Sequence, residues 1–168
     1  WETSNPKTGT FLQVVSSAKL AAKHGPLLSK IRATEDKEER DPLKKKLACF
    51  QPSGLFSERN EAGLKAHSKL LQFDIDPAQN PWLNAETAPA LRDELSKLKQ
   101  VAYCSLSASW KGVWGVVPIE QPDHHKEHFE ALKADFEAWG IVIDPACSNV
   151  AHLRFWSYDP DQYINQNA

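Results

Sequence analysis

The sequence predicts an α+β fold whose core, about residues 70–160, has the order strand, helix, strand, strand, helix, strand. The first strand is an apolar run that ends in two aspartates, Asp74 and Asp76. Two later segments repeat leucine or aromatic residues every three or four positions, which is typical of one buried helix face. Between these helices, two segments with strand-like alternation flank a short polar turn. We therefore expect an antiparallel sheet with both helices on one face.

The core elements follow one another with clear boundaries. The helices are expected over Ala88–Gln100 and His124–Trp139, and Gly140 ends the second helix. The strands are expected at Leu70–Ile75, Val101–Ser107, Val113–Ile119 and His152–Tyr158. This is the β-α-β-β-α-β order of ferredoxin-like and RNA-recognition-motif-like folds, in which the first strand is central and pairs with the last.

The N-terminal part, residues 1–66, is expected to be an α/β extension that packs on the core, residues 67–168, within a single domain. A first strand is predicted at Phe11–Val15, followed by a helix to about His24 that Gly25-Pro26 ends. The charged residues that follow indicate a solvated helix face. Residues 49–56 are typical of a short strand that becomes a loop.

Composition excludes several classes of protein. The 168 residues carry a net charge of −2, which argues against nonspecific coating of nucleic acid but is compatible with a local basic groove. The three cysteines contain no Cys-x-x-Cys pair, so neither a disulfide framework nor a zinc ribbon is indicated, and a reducing, cytoplasmic setting is expected. There is no membrane-length apolar run and no signal peptide. Because the chain begins with Trp1 and lacks methionine, we expect it to be a fragment of a longer protein.

The aspartates at the end of the first core strand form the strongest candidate site. Side chains alternate along a strand, so Asp74 and Asp76 share one face while Phe73 and Ile75 share the other. Two such close carboxylates repel each other unless a cation lies between them, and Mg²⁺ or Mn²⁺ prefers oxygen ligands. Asp144 ends another apolar run, and convergence of the three would suit two-metal phosphoryl transfer. Taken singly, the Asp-x-Asp pair and Asp144 are each better explained as solvated turn residues before a proline.

Other residues suggest contacts to phosphates or bases. The turn between the middle strands could hold a triphosphate, although serine and glycine are common in any turn. Arg154 lies among apolar neighbours and is expected either to pair with the acids or to contact a phosphate or base. The candidate nucleotide-binding residues are Ser107, Ser109, Lys111, Gly112 and Arg154.

Weaker signals concern nucleic acid and metal. Lys44 and Lys45 could contact nucleic acid, but such a charge run more often marks a solvated helix face. Trp110 and Trp114 could stack on a base, with a core position favoured for Trp114. The histidines in the second predicted helix lack a third ligand with a clear place and are expected to be solvated. These are His124, His125 and His128.

Together these motifs resemble the archaeo-eukaryotic primase superfamily, also called primase-polymerases. The motifs are Asp74-Ile75-Asp76, a Ser-x-Ser-x-Lys-Gly hairpin at 107–112, and an apolar-Asp element before an Arg-bearing strand. The order of Lys-Lys-Leu, Pro-Ser-Gly-Leu-Phe at 52–56 and Ser-Tyr-Asp-Pro at 157–160 is similar to the VirE N-terminal-like branch. The resemblance spans roughly residues 30–165.

This resemblance implies a DNA primase-polymerase that acts in replication of a bacterial, phage or mobile element. Asp74, Asp76 and Asp144 would be the catalytic acids and would hold two Mg²⁺ or Mn²⁺ ions. Nucleoside triphosphates, a single-stranded DNA template and a fused or associated helicase would be its partners, with no membrane involved. Many members carry a histidine in the second motif, whereas this chain has none there. The alternative is therefore a degenerate primase-like domain that binds single-stranded nucleic acid or a replication partner.

Overall fold

The computed structural model describes residues 8–168, where three helices are followed by strands that two further helices interrupt. The fold is a mixed α+β arrangement with antiparallel sheets. The α-helices are α1 (Phe11–Val15), α2 (Ala18–Ala33), α3 (Lys37–Lys44), α4 (Ala88–Leu95) and α5 (His125–Ala138). The strands are β1 (Cys49–Phe50), β2 (Gly54–Phe56), β3 (Leu64–His67), β4 (Leu70–Ile75), β5 (Tyr103–Leu106), β6 (Val113–Pro118), β7 (Arg154–Phe155) and β8 (Tyr163–Ile164).

The main sheet has four antiparallel strands in the order β4-β6-β5-β8. Strand β4 pairs with β6 along its whole length, from Leu70 opposite Pro118 to Ile75 opposite Val113. Two smaller pairs, β1 with β7 and β2 with β3, lie outside this sheet. The strands predicted at 70–75, 101–107 and 113–119 are thus confirmed to within one or two residues at each end, as is the predicted antiparallel pairing.

The two faces of β4 bury different chemistry. Leu71, Phe73 and Ile75 enter the main core, which also contains apolar residues of α4 and α5. Both helices therefore pack on one face of the sheet, as predicted. Each large apolar side chain buried there contributes roughly 1.5–3 kcal/mol relative to an exposed one. Gln72 and Asp74 point to the opposite face, because side chains alternate along a strand.

The N-terminal part covers much of that opposite face. The rings of Phe11 and Tyr103 meet edge to face with centroids 5.2 Å apart, and Phe50 meets Trp114 at 6.0 Å. The indole Nε1 of Trp156 donates to the carbonyl oxygen of Val14 at 2.9 Å. Trp114 is buried in this layer, which confirms the favoured core position. The sheet thus lies between α4 and α5 on one side and the N-terminal part on the other.

A buried ion pair joins the C-terminal segment to the sheet. Arg92 on α4 donates to both carboxylate oxygens of Asp159, at 3.0 and 2.9 Å. The same carboxylate accepts from the backbone N–H of Leu106 at 3.0 Å, beside the hairpin between β5 and β6. Asp159 is 1% exposed, so removal of Arg92 would leave an uncompensated buried charge.

Two predictions for the N-terminal part are wrong. Residues Phe11–Val15 form a helix because Thr10 and Gln13 make a capping box, in which each side chain bonds the other residue's backbone N–H. Helix α2 also continues through Gly25-Pro26 to Ala33. Burial of Leu28 and Ile31 beyond the proline offsets the local cost of the Gly-Pro pair.

Three boundaries or pairings in the core also differ from the prediction. Helix α4 ends at Leu95, after which single turns lead to Val101. Strand β4 lies at an edge of the main sheet, so the expected central first strand is wrong. The last predicted strand, 152–158, is reduced to β7 and pairs with β1 instead of β4. The loop at Asp144 lies against the edge of β4 instead, where the Asp144 N–H donates to the Asp74 carbonyl at 2.8 Å, and Pro145 after it starts a short 3₁₀ turn and cannot donate to a sheet ladder.

Strands β3 and β8 were not predicted. Both are short: β3 pairs with the nearby β2, whereas β8 pairs with β5, which lies far earlier in the sequence. Within residues 8–168, no helix combines the length and apolar character needed to cross a membrane.

Candidate metal centre

Three carboxylates meet beside the end of β4. Asp74, Asp76 and Asp144 each offer an oxygen, and these three oxygens all lie within 4.8 Å of one another. Oxygens on opposite sides of an octahedral magnesium ion are about 4 Å apart, since each Mg–O distance is about 2.0–2.1 Å. Small side-chain rotations would therefore let the three acids share a hard divalent cation. The convergence that the sequence suggested is present in the structure.

Asp74 is the buried member of the cluster, with 8% of its surface exposed. Arg154 on β7 holds it with two contacts, Nη2 to Oδ1 at 3.0 Å and Nη1 to Oδ2 at 2.5 Å. The guanidinium carbon of Arg154 also lies 4.8 Å from the ring centroid of Trp114, within cation–π range. Of the two sequence-based readings of Arg154, the pairing with the acids is the one observed.

Asp76 follows β4 and remains partly exposed. The neighbouring charge of Asp74, followed by burial, raises the pKa of Asp76 to about 6, although Arg154 and Lys44 oppose the shift. The hairpin backbone approaches closely, because a Cβ at Gly112 would lie 2.7 Å from the carbonyl oxygen of Ile75 and 3.2 Å from Asp76 Oδ1. Bringing Asp76 near another carboxylate thus costs free energy that a cation would recover.

Asp144 reaches the cluster from a loop. Its backbone N–H donates to the carbonyl oxygen of Asp74 at 2.8 Å, and its side chain accepts from the N–H of Ala146 at 2.9 Å. The amide of Asn80 steadies this loop by bonding both the N–H and the carbonyl of Val142, at 2.9 and 2.8 Å. The loop therefore lies along the free edge of β4 without forming a strand.

A pocket of about 360 Å³ adjoins the acids. This volume is near the lower end of the range for small-molecule sites, about 300–1,000 Å³. The lining comes from α3, the end of β4, the start of the hairpin and the segment around β7. Its residues are Asp41, Lys44, Lys45, Asp74, Asp76, Ser107, Ala108, His152, Leu153, Arg154 and Phe155.

Cationic and polar side chains face the acids across this pocket. The side chain of Lys44 is only 24% exposed, and burial lowers its pKa while the carboxylates of Asp76 and Asp41 oppose this shift. Lys45 is exposed at the pocket wall. Burial and then the charge of Arg154 lower the pKa of His152, although the carboxylates of Asp144 and Asp74 oppose this shift.

Of the predicted nucleotide-binding residues in the hairpin between β5 and β6, Ser107 lines the pocket and Lys111 does not. Ser107 lines the pocket, and its Oγ accepts from the backbone N–H of Gly112 at 3.2 Å and contacts Ser109 Oγ at 3.3 Å. Lys111 forms an ion pair with Glu35 at 2.5 Å and does not line the pocket. The hairpin thus contributes mainly a hydroxyl group and backbone atoms.

Trp110, His124 and His125 do not line the pocket. Arg32 lies 4.0 Å above the Trp110 ring, which also packs against the main core. His124 is exposed, but the expectation of a solvated His125 is wrong, since it is 6% exposed. Its Nδ1 lies 3.0 Å from Nε2 of His67 on β3. His125 is buried because it lies on the inward face of the first turn of α5.

Sequence reasoning missed three contributors to the site. Asp41 lies in a charged helix that had been read only as a solvated face, yet it lines the pocket with Lys44. In the sequence-based prediction His152 was only the first residue of the last strand, and Asn80 had no assigned role. A signal existed for Asn80, because asparagine commonly bonds backbone groups in loops. The distant partner of that amide could not be read from the sequence.

Comparison with known proteins gives one family. The family model described as "BT4734-like, N-terminal domain" matches residues 42–164, almost three quarters of the chain. The match includes the three acids and most of the pocket lining. No curated protein and no solved structure matches the chain.

Proposed function

We propose that this chain, which belongs to the BT4734-like N-terminal domain family, is a DNA primase-polymerase domain. It would catalyse metal-dependent, template-directed nucleotidyl transfer during replication of a bacterial, phage or mobile element. The observation that carries this proposal is the meeting of three carboxylates within 4.8 Å beside a pocket with cationic groups on its wall. The resemblance of the motifs to the archaeo-eukaryotic primase superfamily supplies the reaction class and remains a prediction.

The donor set suits Mg²⁺ or Mn²⁺. All three candidate ligands are carboxylates, which hard divalent ions prefer, and the raised pKa of Asp76 reflects a repulsion that a cation would relieve. When bound, two such ions would activate a primer hydroxyl and stabilise a leaving pyrophosphate. Asp74, Asp76 and Asp144 would hold the ions, and Arg154 would orient Asp74.

The arrangement of the main sheet and its two helices supports the proposed type of core. The strand order β4-β6-β5 with α4 and α5 on one face supports a ferredoxin-like or RNA-recognition-motif-like core. We propose nucleoside triphosphates and a single-stranded DNA template as ligands, a fused or associated helicase as partner, and the cytoplasm as the location. Ser107 lines the pocket, and it would contact such a nucleotide.

Primer extension tests the proposed activity directly. A labelled primer on a single-stranded template would be incubated with nucleotides and Mn²⁺ or Mg²⁺. The informative variants are Asp76→Asn and Asp144→Asn, because Asp74 is buried in an ion pair whose loss would disturb folding. Asparagine at 144 can still cap the Ala146 N–H. Asp135→Asn, at an exposed position on α5, is the matched control.

We expect the native chain and the control to extend the primer, and each acid variant to lose at least about 100-fold in rate. Urea unfolding of each variant shows whether a lost activity reflects lost structure. Native-like extension by Asp76→Asn would contradict the proposed metal centre.

A second candidate function is binding of single-stranded nucleic acid without catalysis. The specific observation in its favour is that two cations expected to contact phosphates are in ion pairs, Lys111 with Glu35 and Arg154 with Asp74. Under this function the native chain would bind a single-stranded oligonucleotide equally well with Mn²⁺ or with a chelator, and it would not extend a primer. Metal-dependent extension would rule it out.

A further inference from the structure

We propose that Lys44 and Lys45, at the end of α3, form the phosphate-binding wall of the pocket and hold the terminal phosphates of a metal-bound nucleoside triphosphate. This inference rests on the proposed function, since it names the residues that the nucleotide would meet opposite the acids. It assigns a binding role to the N-terminal part, outside the β-α-β-β-α-β core.

The position of the two lysines is the first argument. Both line the 360 Å³ pocket that Asp74 and Asp76 also line. A lysine side chain is rarely buried without a partner, yet that of Lys44 is only 24% exposed. Its nearest carboxylate contact is to Asp41 at 3.8 Å, close to the limit for an ion pair. Asp41 has a closer partner, Lys37, at 2.7 Å.

The second argument is that Arg154 and Lys111 already form ion pairs with carboxylates of the protein. Arg154 uses two nitrogens to hold Asp74, and Lys111 pairs with Glu35 away from the pocket. Among the described residues that line the pocket, Lys44 and Lys45 are therefore the cations least engaged by protein carboxylates. An ammonium group on a flexible stem suits a phosphate that arrives with its own metal ion.

Charge explains why the pocket needs such a wall. The acids attract metal ions but repel a free polyphosphate, so an anion binds there only with bound metal and a cation on its other side. The lysines supply that second cation. Removing their charge should therefore weaken binding of polyphosphate, and it should leave binding of the metal alone unchanged or slightly tighter.

The test separates the two affinities in the full chain. Calorimetry would measure binding of Mn²⁺ alone, and then binding of inorganic tripolyphosphate at saturating Mn²⁺. The variants are Lys44→Gln/Lys45→Gln and, to keep the charge, Lys44→Arg/Lys45→Arg. Lys46→Gln, an exposed neighbour outside the pocket, is the matched control. Binding of a single-stranded oligodeoxynucleotide distinguishes a nucleotide phosphate from a nucleic-acid backbone.

We expect the double glutamine variant to lose at least about tenfold in affinity for tripolyphosphate, with undiminished affinity for Mn²⁺. The arginine variant should recover most of the loss, which a merely structural defect would not allow. Unchanged tripolyphosphate binding, or a loss confined to the oligonucleotide, would overturn the inference.

Failure of the inference and failure of the proposed function give different results. If the native chain extends primers and Lys44→Gln/Lys45→Gln has an unchanged KM for the nucleotide, only the phosphate-binding role of the two lysines is refuted. A native chain that cannot extend primers but binds tripolyphosphate through these lysines would refute only the polymerase function.

Discussion

Replacement of Asp76 by asparagine should stabilise the metal-free protein at pH 7. The charge of Asp74 and burial raise the pKa of Asp76 from about 3.8 to about 6 in the folded state. The folded state then binds this proton more tightly than the unfolded state does, so the contribution of Asp76 to stability falls as the pH rises from about 4 to about 6. A shift of about two units corresponds to about 3 kcal/mol at pH 7.

Asparagine carries no charge at any of these pH values and removes the repulsion. In EDTA at pH 7, Asp76→Asn should raise the free energy of unfolding by about 1–3 kcal/mol, and the difference from the native chain should vanish near pH 4. Urea unfolding at pH 4, 5, 6 and 7 measures this directly. Asp135→Asn, which changes an exposed carboxylate, should shift stability by less than about 0.5 kcal/mol.

Added metal should reverse the order of stability. Mn²⁺ at 100 times its Kd would stabilise the native chain by about 2.7 kcal/mol, whereas the variant has lost one of three ligands and should gain much less. The reasoning is refuted if Asp76→Asn destabilises the metal-free chain at pH 7, or if Mn²⁺ stabilises both proteins equally.

Gly112, Arg154 and His125 each lie in close contact with a neighbour, and substitution of each should change stability measurably. Gly112→Ala should reduce the free energy of unfolding by about 1–3 kcal/mol and weaken Mn²⁺ binding, because the added Cβ would lie 2.7 Å from a backbone oxygen. The control Gly25→Ala, whose Cβ would meet open space in α2, should leave stability unchanged or raise it. Equal effects of the two substitutions in urea unfolding would argue against the close approach at Gly112. Arg154→Met should cost about 3–5 kcal/mol at pH 7 by leaving Asp74 buried and unpaired, and a loss below about 1 kcal/mol by the same assay would contradict the pair's structural role. Burial and then His67 lower the pKa of His125 to about 4, so this imidazole contributes a loss of stability as the pH falls from 6.5 to 4, opposite in sign to the contribution of Asp76. His125→Gln should therefore gain stability relative to the native chain as the pH falls through this range, and an unchanged difference between the two proteins would show that another group titrates.

Much of the core could be predicted because its signals are local. The alternation of Leu70–Ile75 assigns a strand and the face of each side chain, and the apolar spacing of α5 assigns its buried stripe. Both survive in the structure because burial strengthens the same pattern that the sequence shows. The direction of Asp74, away from Phe73 and Ile75, followed from this alternation alone.

The N-terminal part was predicted less well because local and tertiary preferences compete there. Phe11–Val15 has the residue types of a strand but is too short for its pattern to decide, and the capping box formed by Thr10 and Gln13 favours a helix. The Gly25-Pro26 pair is a reliable local stop signal, yet contacts beyond it keep α2 helical to Ala33. Such contacts join residues that are far apart in the chain.

By itself, the sequence determined the α+β class, the three aspartates as candidate ligands and the turn that carries Ser107. Only the tertiary structure decided that the three carboxylates lie within 4.8 Å, that Arg154 is held by Asp74, and that α3 brings Lys44 to the same pocket. The physical reason is the distance along the sequence over which each kind of interaction acts. Side-chain periodicity and turn chemistry act over a few residues, whereas a shared pocket depends on long-range packing that brings distant segments together.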